Sequence, residues 1–591
     1  MGDIYAAAAE TVIWLGPEMG DEWIIRWLLK TLWPALSVSW NVRVARQALY
    51  DGMKSSLDRN HVSKTELEAI NEYLGDLRLE DPTDPKTWMG IVATDFDRDR
   101  WEIYWITYFE FFAKRAWFHR CWVVQEAVLS KNATIAAGPI WDVTWEELGG
   151  FSAVVRALDI HNTIVGEEIS KGYNPPGGTL NMSAWDIQYL REQVSKTGDG
   201  HEYAPLFAWK KLIWPSAMAA RRRDATLAVD RIYSIVGLMK RVFPRELDGF
   251  TVDYESTARL VFTQFTKQAI ERSGSLFHLA MVEDDPARDV GQVDLPSWVP
   301  NFCTVRWETP IYPARPIHSQ ISALDGNIRS PHVSDGRLVV SGVSLGKLRI
   351  ASMHPREIDV RVNVASCFFI LAGMDEIYAP TGEGRVEAVW RTMVMNQSGL
   401  QGEHHPARPR LMSGFRHFFL EGLALRVWDM EDKIASGRDV QGRIANSLEY
   451  LTTIVQGLKG DPRSFPTMEQ IRVRAGRMRE NTIAGRLEPL GVAAAKGCDA
   501  VPIREFYEAF TERIGPRKMF LTKSGLLGIC NWCSKLTDEL WLLDGGDLPY
   551  LLRPREDGTY TFMGSCYVHG GMEGELATDE LRSSMREIAI V

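Results

Sequence analysis

Several things are missing from this chain of 591 residues. No uncharged apolar run approaches the roughly 18 residues that a membrane-crossing helix needs, so no membrane span is expected. The opening "MGDIYAAAAETVIWLGPEMG" has acidic residues and no basic one, unlike a signal peptide. Cysteines number only seven, an odd and scattered set, which fits free thiols in a reducing, cytoplasmic setting better than a disulfide framework. Positive charge is in deficit, 67 Lys+Arg against 77 Asp+Glu for a formal net charge of -10, so no nucleic-acid partner is expected. There is no P-loop, no G-x-G-x-x-G and no H-E-x-x-H, so neither a metal centre nor a firm cofactor is assigned. Internal repeats and low-complexity tracts are absent too.

What is present is a large reserve of core-forming residues. The chain is 45% hydrophobic with 21 tryptophans, enough for more than one domain. "IYAAAAE" reads as the end of a helix running into a short strand, "TVIWLGP", stopped at Gly16-Pro17. Residues 22–36 suit a buried helix, and "DPTDPKTW" (81–88) a linker. Residues 101–130 suit two helices or one broken one, followed by a β-like "NATIAAG". Residues 169–203 and 380–411 are rich in glycine, proline and polar residues and read as loop-bearing. Helical signals fill 207–243, 255–272 and 412–515. "GRLVVSGVSLGKLRIA" and residues 516–576 alternate apolar residues with glycine turns, which favours strands. The fold class expected is α/β plus α+β, with boundaries near 150 and 335 and a β-rich C-terminal subdomain at 516–576.

Four stretches invite chemistry. If 118–129 is one helix, Phe118, Cys121, Trp122, Gln125 and Leu129 share a face and Glu126 lies at its edge, one turn after Trp122. A carboxylate there is either a partly desolvated acid/base and hydroxyl-binding group or a rim residue paired with an arginine. "GVSLG" (342–346) matches G-x-S-x-G, but the strand-like "KLRIA" after it denies Ser344 the strand-turn-helix elbow. "CNWC" (530–533) lacks two further ligands and sits between strands, which fits neither zinc nor a redox helix start. "RRRD" (221–224) could grip a phosphate or a partner's carboxylate, or be a solvated loop or helix start, and His404-His405 has no metal-ligand companions.

Several of these stretches recur in order in one family. "IYAAAAETVIWLGP" (with Trp14, Leu15, Gly16 and Pro17), "RAWFHRCWVVQEAVLS" (with Arg115, Trp117, Arg120, Trp122, Gln125 and Glu126), "ATLAVDRIYSIVGL" (with Asp230, Arg231 and Tyr233), "VDYESTARLVF" and "LPSWVPNF" resemble the blocks of fungal heterokaryon incompatibility (HET) domain proteins. "FLTKSGLLGI" and "YVHGGMEGE" resemble the C-terminal region of the same proteins. Two departures stand out. The Ser-Tyr-x-Trp-Gly and Trp-Ile-Asp segments that open such domains are not seen before Met1, which would leave an N-terminally truncated domain. In addition, Leu227-Ala228-Val229-Asp230 replaces Asp-Pro-Arg-Asp.

The resemblance implies a partial TIR-like, flavodoxin-like HET domain over 1–150, a mainly helical and linker region over 151–335, and an α+β remainder over 336–591. It implies a role in non-self recognition and programmed cell death, as a cytoplasmic effector with a protein partner or through self-association. By the same resemblance Glu126, supported by Trp122, is the candidate catalytic residue, with NAD as the possible substrate. Its carboxylate would bind ribose hydroxyls and stabilise an oxocarbenium-like transition state. The alternative is a non-catalytic interaction protein whose NAD-glycohydrolase activity has gone with the missing strands.

Overall fold

The computed structural model describes residues 2–33, 101–157, 184–198, 216–242, 247–282, 294–303, 311, 331–352, 360–398, 405–458, 465–483, 501–514, 517–576 and 578–591. The expected linker at 81–88, His404 and Cys498 lie outside them. The chain forms two compact units, Met1–Glu255 and Ser256–Val591, where the sequence suggested boundaries near 150 and 335. Both are built of mixed helix and strand, and the second is β-rich toward its C-terminus.

In the first unit, α1 (Gly2–Ala7) leads into β1 (Thr11–Trp14), and α2 (Glu22–Trp27) continues as a π-helical turn over Leu28–Leu32. Then come α3 (Trp101–Lys114), α4 (Ala116–His119), α5 (Val123–Val128), the hairpin β2 (Ala133–Ala137) and β3 (Ile140–Thr144), and α6 (Trp145–Ala157). β1 pairs parallel with β2, as expected when helices intervene, and β2 pairs antiparallel with β3. α7 (Trp185–Gly198) is a helix inside the stretch expected to be loop-bearing, and α8 (Asp230–Val242) carries the D-R-x-Y block. Aromatic residues fill the core: Trp105 stacks on Phe151, and Tyr108 meets Phe112 edge-on.

The segment 101–130 is a broken helical run, as the sequence suggested, and 118–129 is not one continuous helix. Arg120 is extended (φ -84, ψ 135) between α4 and α5. The cause is tertiary: Arg120 forms an isolated parallel bridge with Asp224, and Cys121 N–H donates to the Asp224 carbonyl at 2.9 Å. A strand-like contact at one residue outweighs helix continuation because both neighbouring helices are buried by packing.

The second unit is organised by one long strand. After α9 (Ala258–Ser273) come the short β4 (His332–Ser334) and then β5 (Arg337–Ala351), itself 15 residues long. The first half of β5 pairs with β4 and with the last strand β12 (Arg586–Ile590). Its second half pairs with β8 (Glu539–Leu543) and β6 (Arg517–Thr522). β7 (Leu527–Asn531) extends the sheet beside β6, and β11 (Tyr567–Val568) pairs with β7. β9 (Pro549–Pro554) and β10 (Tyr560–Ser565) complete a ring in which each strand bonds to the next: β5, β8, β9, β10, β12 and back to β5. The sheet is therefore closed into a barrel. Leu338 and Val340 are buried before Gly342, then Val343 and Leu345 after it, so the inward phase of β5 flips at Gly342; the bulge in the β8 pairing comes later, between Ser344 and Gly346.

Between β5 and β6, which are neighbours in the sheet, the chain makes α10 (Val360–Ala372), α11 (Arg385–Met393), α12 (Met412–Ala435), α13 (Arg443–Gly457), α14 (Met468–Ile483) and α15 (Val501–Ile514). The helical expectation for 412–515 agrees with this. The loop expectation for 380–411 does not hold throughout, since α11 lies within it. Its sequence signal was a Glu387–Arg391 pair one turn apart, an ion pair at 2.8 Å.

Candidate functional site

Glu126 sits on the six-residue α5, whose residues are all buried because α1, α7 and α8 pack around it. Its own exposure is 9%. The Trp117 indole N–H donates to Oε2 at 3.1 Å, and the Arg120 guanidinium lies 3.7 Å from Oε1, beyond hydrogen-bond reach. Burial first, then the Glu126 carboxylate, raises the pKa of Tyr5 on α1. Arg120 is the exposed member of this group, with 57% of its side chain in solvent. Trp122 is half-buried and caps the start of α5, one turn before Glu126.

The ends of the parallel pair place this group. Ser130, one turn past Glu126, donates to Thr11 Oγ1 at 3.0 Å, and Thr11 opens β1. Arg115 instead collects the carbonyls of Leu15 (3.4 Å) and Pro17 (2.9 Å), beyond the last residue of β1. Glu126 thus lies toward the amino end of the parallel strands, while ligands of open parallel sheets gather at the carboxyl end. That carboxyl end is filled by Arg115 itself, whose side chain is 0% exposed and binds Asp21 at 2.7 Å and Glu22 at 2.6 Å. Burial raises the Glu22 pKa, but Arg115 and the Glu22 and Met19 N–H groups outweigh it and hold the carboxyl below its ordinary value.

The other motif residues are placed in the same way. Arg231 gives one guanidinium nitrogen to the carbonyls of Ala220, Arg221 and Arg223 at 3.1, 2.9 and 2.6 Å. Asp230 accepts the Tyr254 hydroxyl at 3.0 Å, and the Tyr233 hydroxyl donates to the Asp253 carbonyl at 2.7 Å. Gln125 packs against Gly237 of α8 so closely that a Cβ there would lie 2.2 Å from Nε2. Leu15 is buried, Trp14 is exposed on β1, and Gly16 has φ +105, which suits only glycine well. These residues join sequence blocks to one another.

"RRRD" fits neither reading offered for it. Arg223 is buried and makes a two-pronged ion pair with Asp186 of α7, at 2.6 and 3.0 Å, and also donates to the Phe118 carbonyl at 3.1 Å. Sequence reasoning missed Asp186, Tyr5 and Arg191, which donates to the carbonyl of Ser130 at 2.8 Å. No local pattern marks them, because each acts on a partner distant in sequence.

The remaining candidates lie in the second unit. Ser344 is inside β5, paired opposite Trp541, with no elbow around it. Cys530 is buried at the end of β7, where burial pushes its thiol up to about 12, and it donates to Ser534 Oγ at 3.2 Å. Cys533 forms no disulfide either, and its thiol donates to Asn531 Oδ1 at 3.3 Å. His405 pairs with Glu573 at 3.2 Å. Among the described residues no three His, Cys, Asp or Glu side chains converge as a metal site would require. None of the described helices is long and apolar enough to cross a membrane.

A mixed α/β unit bracketed by buried motif arginines, joined in one chain to a unit with a closed β-barrel, defines a class, and comparison with known proteins agrees with it. Residues 491–586 match the family described as the Het-6 beta-barrel domain. Over 98% of this chain and 78% of the relative, the sequence is 22% identical to "Heterokaryon incompatibility protein 6, OR allele" of Neurospora crassa. The chain is thus similar, along nearly its whole length, to a fungal heterokaryon incompatibility protein. No solved structure matches it. The family match begins well after β5, so the strand that closes the ring lies outside it.

Proposed function

We propose that this protein acts in fungal non-self recognition and regulated cell death, as a cytoplasmic effector that works by assembling with a protein partner or with itself. The observation that carries this reading is the span of the similarity: it runs through both units of the chain to a protein named for heterokaryon incompatibility. Assembly is favoured over bond-breaking chemistry by the use to which the motif residues are put. Arg115, Asp230, Arg231 and Tyr233 bind other parts of the unit, and Glu126 is buried with the Trp117 indole on its carboxylate.

A second reading is supported by a specific arrangement: Glu126 keeps Trp122 one turn before it and an exposed arginine beside it. In that reading the first unit is TIR-like, which the parallel β1–β2 pair across α3–α5 supports, and Glu126 cleaves NAD. One experiment separates the two. Wild type and Glu126→Gln are expressed in a fungal host, and viability and NAD are followed. Equal killing by both without NAD loss is the expected outcome. NAD loss with wild type that disappears with Glu126→Gln would sink the assembly reading and establish the enzymatic one.

A further inference from the structure

We propose that Asp230 and Tyr233 form a latch on the connector that leaves the first unit, and that opening the latch lengthens the chain on which the second unit is carried. The inference does not depend on either reading of Glu126. The first unit ends at Glu255, and α9 of the second starts at Ala258. Just before that exit, Asp253 and Tyr254 are tied to the start of α8. The Tyr233 hydroxyl donates to the Asp253 carbonyl at 2.7 Å and accepts the Asp253 N–H at 3.1 Å, so one side chain holds both backbone groups of one connector residue. The Tyr254 hydroxyl donates to Asp230 Oδ1 at 3.0 Å, and its ring meets the Tyr233 ring edge-on at 5.2 Å. Asp230 and Tyr233 lie i, i+3 on one helix and share a face, which is why a single turn of α8 can hold two successive residues.

The two sides of the latch are held with different firmness. Tyr233 is buried and stands on a helix with Ile232, Ile235 and Val236 buried beside it. Residues 251–255 are all exposed and belong to no helix or strand. Exposed segments of that kind open locally at small cost while packed elements stay closed. Burial first, then Asp230, pushes the Tyr254 hydroxyl up to about 12, so it remains a donor at any cellular pH and titration does not release it. With the latch closed, the chain between it and α9 is 255–257, where the Glu255 N–H donates to Asp253 Oδ1 at 3.0 Å and Thr257 caps α9. With it open, the stretch between the buried Phe250 and α9 is 251–257. A longer flexible linker widens the range of positions that two joined bodies sample. That range sets which surfaces of a two-unit chain can engage a partner together.

Hydrogen–deuterium exchange and small-angle X-ray scattering on the full chain test this together. Tyr233→Phe removes the hydroxyl and keeps the ring. Asp230→Ala removes the acceptor at the surface, and Asp230→Asn keeps an oxygen that still accepts the Tyr254 hydroxyl. Several-fold faster exchange over 251–256 is expected in Tyr233→Phe and Asp230→Ala, with Asp230→Asn close to wild type and α8 unchanged in all. A larger maximum dimension is expected in the same two variants and not in Asp230→Asn. Equal exchange in wild type and every variant would overturn the latch. Parallel acceleration across α8 would mean that the unit itself has loosened, and would also count against it. Faster exchange at 251–256 with scattering unchanged would overturn the lengthening of the connector.

Discussion

The two units hold distant parts of the chain together by different means. In the first, three buried arginines, Arg115, Arg223 and Arg231, each gather carbonyls or carboxylates from separate segments. In the second, the barrel is closed by backbone pairing and apolar packing, with Leu540, Leu551, Met563 and Phe520 at or near zero exposure in one cluster. Buried ion pairs are costly to form and more costly to break, because removing one partner strands the other's charge. Apolar packing fails more gradually, by the volume lost or forced in. The first unit should therefore be brittle to single charge changes and the barrel brittle to shape.

The strongest test of that contrast is Arg115→Ala. It leaves Asp21 and Glu22 as neighbouring buried carboxylates with no cation, at a cost of about 3–5 kcal/mol. Urea unfolding followed by limited proteolysis, with fragments assigned to each unit, should show the first unit melting early and barrel fragments protected as in wild type. A common shift of both units would break the comparison.

The reciprocal test is Gly528→Ala in β7. A Cβ there would sit 2.2 Å from the Tyr567 carbonyl and 2.5 Å from the Phe520 ring. Backbone cannot retreat as a side-chain tip can, so a loss of about 1–3 kcal/mol is expected, confined to the second unit in the same proteolysis assay.

This asymmetry also decides what was legible in the sequence. The blocks of the first unit are visible because arginine, glycine and tyrosine at fixed spacing are needed to bracket it. Its partners Asp186 and Tyr5 were not visible, since an ordinary residue becomes a partner only after distant segments meet. The break at Arg120 was hidden for the same reason: its cause is Asp224, on another segment. In the second unit, alternation revealed strands in "GRLVVSGVSLGKLRIA" and in 516–576. Closure was invisible, because nothing local says that β5 pairs with β12 near the chain end and with β8 across the helical insertion. The similarity to heterokaryon incompatibility proteins could be read, while the burial of Glu126 could not.

A smaller effect concerns pH. The Glu22 and Asp142 carboxyls are held below their ordinary values: at Glu22 burial opposes and Arg115 prevails, and at Asp142 the hydrogen bond from Arg26 leads. Acids depressed in the folded state add stability that is complete above the unfolded value, about pH 4 for these groups, and fades as pH falls through the folded one. The first unit should therefore lose urea resistance on acidification below about pH 4. Arg115→Ala should flatten that dependence. An unchanged slope in Arg115→Ala would show that the arginine is not its source.

The smallest effect expected is at Ser344, where pattern and structure disagree most plainly. G-x-S-x-G marks a nucleophile only when a sharp turn lifts the serine between a strand and a helix. Here Ser344 lies in a continuous strand opposite Trp541, and its hydroxyl accepts the Gly346 N–H at 3.3 Å. The glycines serve the barrel instead. A Cβ on Gly342 would lie 2.7 Å from the Leu542 carbonyl, where β5 crosses β8, and Gly346 has φ +112. Ser344→Ala should change stability by no more than about 0.5 kcal/mol and leave cell killing intact. Gly342→Val should destabilise the second unit by more than Ser344→Ala does. Loss of killing in a stable Ser344→Ala protein would overturn the reading of this motif as barrel geometry.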